Sequence, residues 1–120
     1  MSQWGYFTWF PEHGSHLVHP EDIGWFGDAG VQGAVGMVAP GPDSWLVFHL
    51  GEKTVRLASE IVHPCASPDF RHGQRVETLP PRAPFTGEIT SIKWHFERHE
   101  PFYLVGPKHS RYYSHELRAA

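Results

Sequence analysis

The sequence predicts a mostly β fold built from two related small-barrel halves, with an N-terminal strand and a short helix outside the repeat. Three observations predict it. Short apolar runs of strand length alternate with turns containing Gly and Pro. Each half has a reversal between two such runs, at Gly51-Glu52-Lys53 and at Gly106-Pro107-Lys108. Three sets of positions also recur in the same order. Gly33-x-Val35-x-x-Val38 matches Gly87-x-Ile89-x-x-Ile92, Leu50-Gly51-x-Lys53 matches Val105-Gly106-x-Lys108, and Leu57-x-x-Glu60-Ile61 matches Tyr113-x-x-Glu116-Leu117. Recurrence in fixed order is the mark of a duplicated supersecondary unit.

The segments follow in order. Gln3 to Phe10 alternates as a strand, with Trp4, Tyr6 and Thr8 on one face and Phe7 and Trp9 on the other. Pro11 ends it, and a polar loop follows. Pro20-Glu21-Asp22 is a helix start, because proline tolerates the first helical position and acids suit the positive end of the helix dipole. That helix is expected to reach Phe26, with Ile23 and Phe26 inward and Gly27 and Gly30 stopping it. Gly33–Val38 is a strand, 40–43 a turn, and Trp45–Leu50 and Thr54–Leu57 a hairpin. Residues 59–62 make a helical turn, and His63 to Pro68 reads as a linker.

The second half opens with a Gly73 turn and a strand at Gln74–Leu79, then a Pro-rich loop. Gly87–Phe96 is a strand with Ile92, Trp94 and Phe96 facing the core and Lys93, His95 and Glu97 outward. Ile89 falls out of that alternation, which a β-bulge between Ile89 and Ile92 explains. Phe102–Val105 and Arg111–Tyr113 are strands, and residues 114–117 a last helical turn. The expected division is 1–64 and 65–120, the two parts sharing one body.

Composition is consistent with this. Hydrophobic residues are 40% of the 120 and charged residues 19%, enough apolar surface for a packed core. The single cysteine, Cys65, allows no intramolecular disulfide. The first ten residues lack a basic region followed by a long apolar run, so no signal peptide is expected and a cytoplasmic location is. Formal charge is −3 with the ten histidines neutral, and imidazoles make that figure sensitive to pH. It divides unevenly, −5 over residues 1–60 and +2 over residues 61–120.

The pattern of Gly turn, Gly-x-Ile-x-x-Ile strand, hairpin and closing helical turn resembles SH3-like barrels of the Tudor and KOW sort, over residues 70–118 and, less fully, 31–62. The resemblance implies two tandem SH3-like small β-barrel units. The stretches WGYFTWFPEHGSHLVHPEDI, GEITSIKWHFERHEPFYLV and RYYSHEL also resemble a family of small uncharacterised bacterial proteins of this length. That second resemblance brings no activity with it.

Several residue groups are candidates for function. Small barrels bind at the loops joining strands, and Lys93, His95, Arg98, His99, Lys108 and Arg111 are placed to make a basic rim beside aromatic residues. Such mixtures suit nucleic acid or an acidic protein. Trp25 is a candidate exposed anchor. His13, His16 and His19 have the residue type for a transition metal, but Gly14 argues against the helix that would converge them. Cys65 has no surrounding strand–turn–helix elbow, and no nucleophile, phosphate-loop or dinucleotide motif is present. No cofactor is expected. The expected function is a non-enzymatic protein-binding module, including the case of an immunity or accessory protein that neutralises a bacterial toxin. The alternatives are nucleic-acid binding through the basic half and metal binding through the histidines.

Overall fold

The computed structural model describes residues 3–26, 31–107 and 110–120. Its contacts group into two units, Met1–Ser67 and Pro68–Ala120. The first contains β1 (Gln3–Trp9), α1 (Ile23–Phe26), β2 (Val31–Pro40), β3 (Leu46–Leu50), β4 (Lys53–Leu57) and β5 (Val62–Cys65). The second contains β6 (Arg75–Thr78), β7 (Thr86–His95), β8 (Glu100–Gly106), β9 (Ser110–Tyr113) and β10 (Leu117–Ala119). The fold is mostly β, as expected, with α1 and a few single 3-10 turns.

Within each unit the strands pair antiparallel in one order. The first runs β5-β1-β2-β3-β4 and the second β10-β6-β7-β8-β9. A 3-10 turn precedes the last strand in both, at Ser59–Ile61 and Ser114–Glu116. The long second strand serves two partners: β2 pairs with β1 over residues 31–38 and with β3 over 37–40, and β7 pairs with β6 over 86–88 and with β8 over 88–95. Among the described residues β4 and β5 each have one neighbour within their unit, as do β9 and β10, so neither strand path closes into a complete barrel.

A strand changes partners most tightly where a side chain is missing. A β-carbon on Gly36 would collide with the His49 carbonyl oxygen, and one on Gly87 with that of Gly106. Gly36 precedes the first β2–β3 pair, Met37 with His49, and Gly87 precedes the first β7–β8 pair, Glu88 with Gly106. The structural counterpart of Gly87 is therefore Gly36, and not the expected Gly33. Spacing alone aligned the wrong glycine because β2 runs further along its first partner than β7 does.

The hairpin, both helical turns and the bulge are found. The register of β7 against β8 shifts between Ile89 and Ser91, which buries both Ile89 and Ile92. Four expectations change. His63–Cys65 is no linker: with Val62 it forms β5, pairing with β1, and an edge strand tolerates Pro64. The residues after Glu116 are likewise a strand, β10, which pairs with β6. The helix begins at Ile23 and not at Pro20, because residues 20–22 form a turn in which the Asp22 and Ile23 amides both donate to the His19 carbonyl. Trp94 is only half-buried, and Phe96 is 44% exposed because β7 ends at His95 and Phe96 enters the turn. The expected stops at Gly27 and Gly30 lie outside the described residues.

The first unit's core gathers Phe7, Trp9, Val18, Phe26, Ala34, Phe48, Val55 and Leu57. The segment before α1 lies along β4: the His19 amide donates to the Arg56 carbonyl, and the Ala58 amide to that of Leu17. Asp22 secures the same join. It accepts from the Arg56 amide at 2.8 Å and from Nε of Arg56 at 2.9 Å, while Glu21 takes an Nη at 2.9 Å. The Arg56 side chain holds the Asp22 carboxyl below its ordinary value of 3.8. A carboxylate with a depressed folded value contributes stability above its unfolded value and loses it as pH falls through the folded one. Asp22→Asn is expected to lower Tm at pH 7 and to flatten the fall in Tm below about pH 4. Thermal melts from pH 7 to pH 2.5 check this, and parallel curves for the two proteins would refute it.

Candidate functional site

Adjacent residues of a strand point to opposite faces, so the pairs Phe102-Tyr103 and Tyr112-Tyr113 must each send one ring inward and one outward. Ile92, Tyr103 and Tyr112 pair across β7, β8 and β9, and all three are buried. The Tyr103 hydroxyl accepts the Asp69 amide at 3.0 Å and lies 3.2 Å from the Ser114 hydroxyl. The opposite face of the three strands carries Lys93, Phe102 and Tyr113, of which Phe102 is buried at 7% exposure and Lys93 and Tyr113 are half-buried. His95 and Glu100 pair on the same face, as do Leu104 and Arg111.

Two rings on this face carry guanidinium groups. Cζ of Arg98 lies 3.8 Å from the centre of the Tyr113 ring, and Cζ of Arg111 lies 4.4 Å from that of Phe102. The two ring centres are 6.4 Å apart. His115 stacks parallel to Tyr113 at 6.2 Å, and His95 lies 6.0 Å from Tyr113 and 6.2 Å from Phe102. His95 also shapes the turn that delivers Arg98, since its Nδ1 accepts the Arg98 amide at 3.1 Å. Glu100 approaches Arg98 at 3.6 Å, which is an ion pair but longer than a hydrogen bond. Stacking a guanidinium on an aromatic face is favourable and pre-orients its planar fork of donors.

The structure thus brings together His95, Arg98 and Arg111 of the expected rim, with Lys93 in the adjoining row. His99 sits exposed in the turn with a positive φ of 53°, and Lys108 lies outside the described residues. The expectation missed Phe102, Tyr113, His115 and Glu100. The signal for the first two was present in the two aromatic pairs, read through strand parity.

Other candidates stand apart. Trp25 is 44% exposed, packs edge-on to Phe26, and has Nζ of Lys53 at 5.9 Å from its ring. His13, His16 and His19 do not converge: no group of three or more His, Cys, Asp or Glu able to hold a metal occurs among the described residues. Nδ1 of His13 accepts the Phe10 amide and Nδ1 of His19 the Glu21 amide, local uses that suit single loop histidines. Burial pushes the Cys65 thiol up, away from a reactive thiolate. A cleft of about 200 Å³ in the first unit is lined mainly by apolar groups, among them Val38, Pro40, Leu46, Val62 and Pro64. No helix among the described residues is long and apolar enough to cross a membrane.

A family model described as "Family of unknown function (DUF6960)" matches residues 1–118. The chain belongs to DUF6960. No curated protein and no solved structure matches it. Membership of DUF6960 covers both units and carries no activity, so the function rests on the site's own chemistry.

Proposed function

We propose that this chain is a non-enzymatic protein-binding module of two SH3-like units, docking its partner through the face formed by β7, β8 and β9. The observation that carries the reading is the pair of guanidinium groups placed over the adjacent rings of Tyr113 and Phe102, with both arginines themselves exposed. Tyr and Arg are the residues that dominate protein interfaces, and a pre-oriented Arg loses less entropy when it is bound. The SH3-like part is supported by the shared strand order, the long strand with two partners and the 3-10 turn before the last strand. An immunity or accessory role is the form of this reading in which the partner is a toxin.

Nucleic-acid binding is the second reading, favoured by the net +2 of residues 68–120. Two observations weigh against it. Tyr113 and Phe102 already carry guanidinium groups, so neither ring is a bare platform for a base, and the whole chain is at −3. Affinity capture from the native host, with the wild type and with R98E/R111E as bait, tests the choice. A specific protein retained by the wild type and lost from the variant is the expected result. Recovery of nucleic acid with no such protein would overturn it.

A further inference from the structure

We propose that the β7–β9 face takes an acidic peptide segment, with Arg98 and Arg111 as two carboxylate posts and Glu100 as an internal competitor for the first. This rests on the docking reading above and names the chemistry of the partner. Two cations over rings 6.4 Å apart, with Lys93 in the same row as those rings, gather three positive side chains on one small patch. Glu100 is the acid that meets Arg98, and at 3.6 Å it leaves the guanidinium's donors incompletely used. Arg111 turns its guanidinium to the Phe102 ring, while its main-chain carbonyl is taken by Arg82. Cζ distances of 3.8 and 4.4 Å suit stacking, and a stacked guanidinium keeps its in-plane donors for a carboxylate, which binds them with two parallel hydrogen bonds. An incoming glutamate or aspartate displaces Glu100 from Arg98, and a second reaches Arg111.

The test is titration of labelled peptides into the full chain at low and physiological salt. The probes are a glutamate decamer, a glutamine decamer and a thymidine decamer oligonucleotide. The glutamate decamer is expected to bind and to weaken with salt, and R98Q/R111Q to lower its affinity about tenfold or more. E100Q is expected to tighten binding about two- to fivefold by removing the competitor, a gain that damage to the fold would not produce. R75Q/R118Q makes the same charge change at two other arginines of the second unit and should leave affinity nearly unchanged. Equal loss in R75Q/R118Q, no gain in E100Q, or equal binding of the glutamine decamer would overturn the proposal. So would oligonucleotide binding as strong as the glutamate decamer's and lost in R98Q/R111Q. If partner capture depends on Arg98 and Arg111 while the glutamate decamer fails to bind, the acidic-segment inference falls and protein docking stands. If the decamer behaves as expected while capture returns no protein, the docking reading falls instead.

Discussion

Gly87→Ala is expected to destabilise the protein by about 3 kcal/mol, and Gly36→Ala by a similar amount. Each glycine sits one residue before a long strand begins to pair with its second partner. An added β-carbon meets backbone in both cases, the carbonyl oxygen of Gly106 or of His49, which cannot rotate away as a side chain does. Val105 and Phe85 crowd the first site and Phe48 the second. Relief therefore requires moving β8 or β3 and stretching ladder hydrogen bonds. The control is Gly24→Ala in α1, where a β-carbon meets nothing within 4 Å. Alanine stiffens the unfolded chain and favours the helix, so that variant should be neutral or stabilised by up to about 1 kcal/mol. Urea denaturation of the three variants measures these differences. A loss below about 1 kcal/mol at Gly36 or Gly87 would mean that the strand corners are looser than described.

Phe7→Ala should cost about 3–5 kcal/mol, a large share of the stability of a chain this size. The ring is fully buried and makes edge-to-face contacts with Phe48 at 4.7 Å and Phe26 at 6.0 Å. Both neighbours are themselves large rings set by strand and helix backbone, so the space left behind cannot collapse far. Aromatic pairs of this geometry add to the loss beyond the buried area. Phe96→Ala is the comparison: the same residue type at 44% exposure should change stability by about 0.5 kcal/mol or less. Equal costs at the two positions would refute the assignment of Phe7 to the core and Phe96 to the turn.

Phe7 and Phe96 also show how far the sequence could be read. Phe7 shares a strand face with Trp9, as the alternation indicated, and both are buried, while burial of Trp4 on the other face was not legible from the alternation. Phe96 continues the same kind of alternation in β7, but the chain turns one residue earlier, and a pattern of apolar residues does not mark where pairing stops. Strands β5 and β10 were missed for a related reason. They are four and three residues long, and Pro64 reads as a breaker. What makes them strands is a partner distant in sequence, β1 for one and β6 for the other. The candidate site divides in the same way. Its basic residues were visible as a local cluster, whereas Glu100, His115 and the two rings entered only through the register of β7, β8 and β9.

By itself, then, the sequence determined the mostly β class, the order of turns and hairpins, the bulge after Ile89 and the existence of two similar halves. These depend on turn chemistry and two-residue alternation, which act over a few neighbouring residues. Only the tertiary structure decided that Gly36 rather than Gly33 answers to Gly87, that both units end in a short strand, and that Arg98 and Arg111 lie on Tyr113 and Phe102. Each of those depends on which strands are neighbours and in what register. A shift of one residue in that register would turn both rings to the other face.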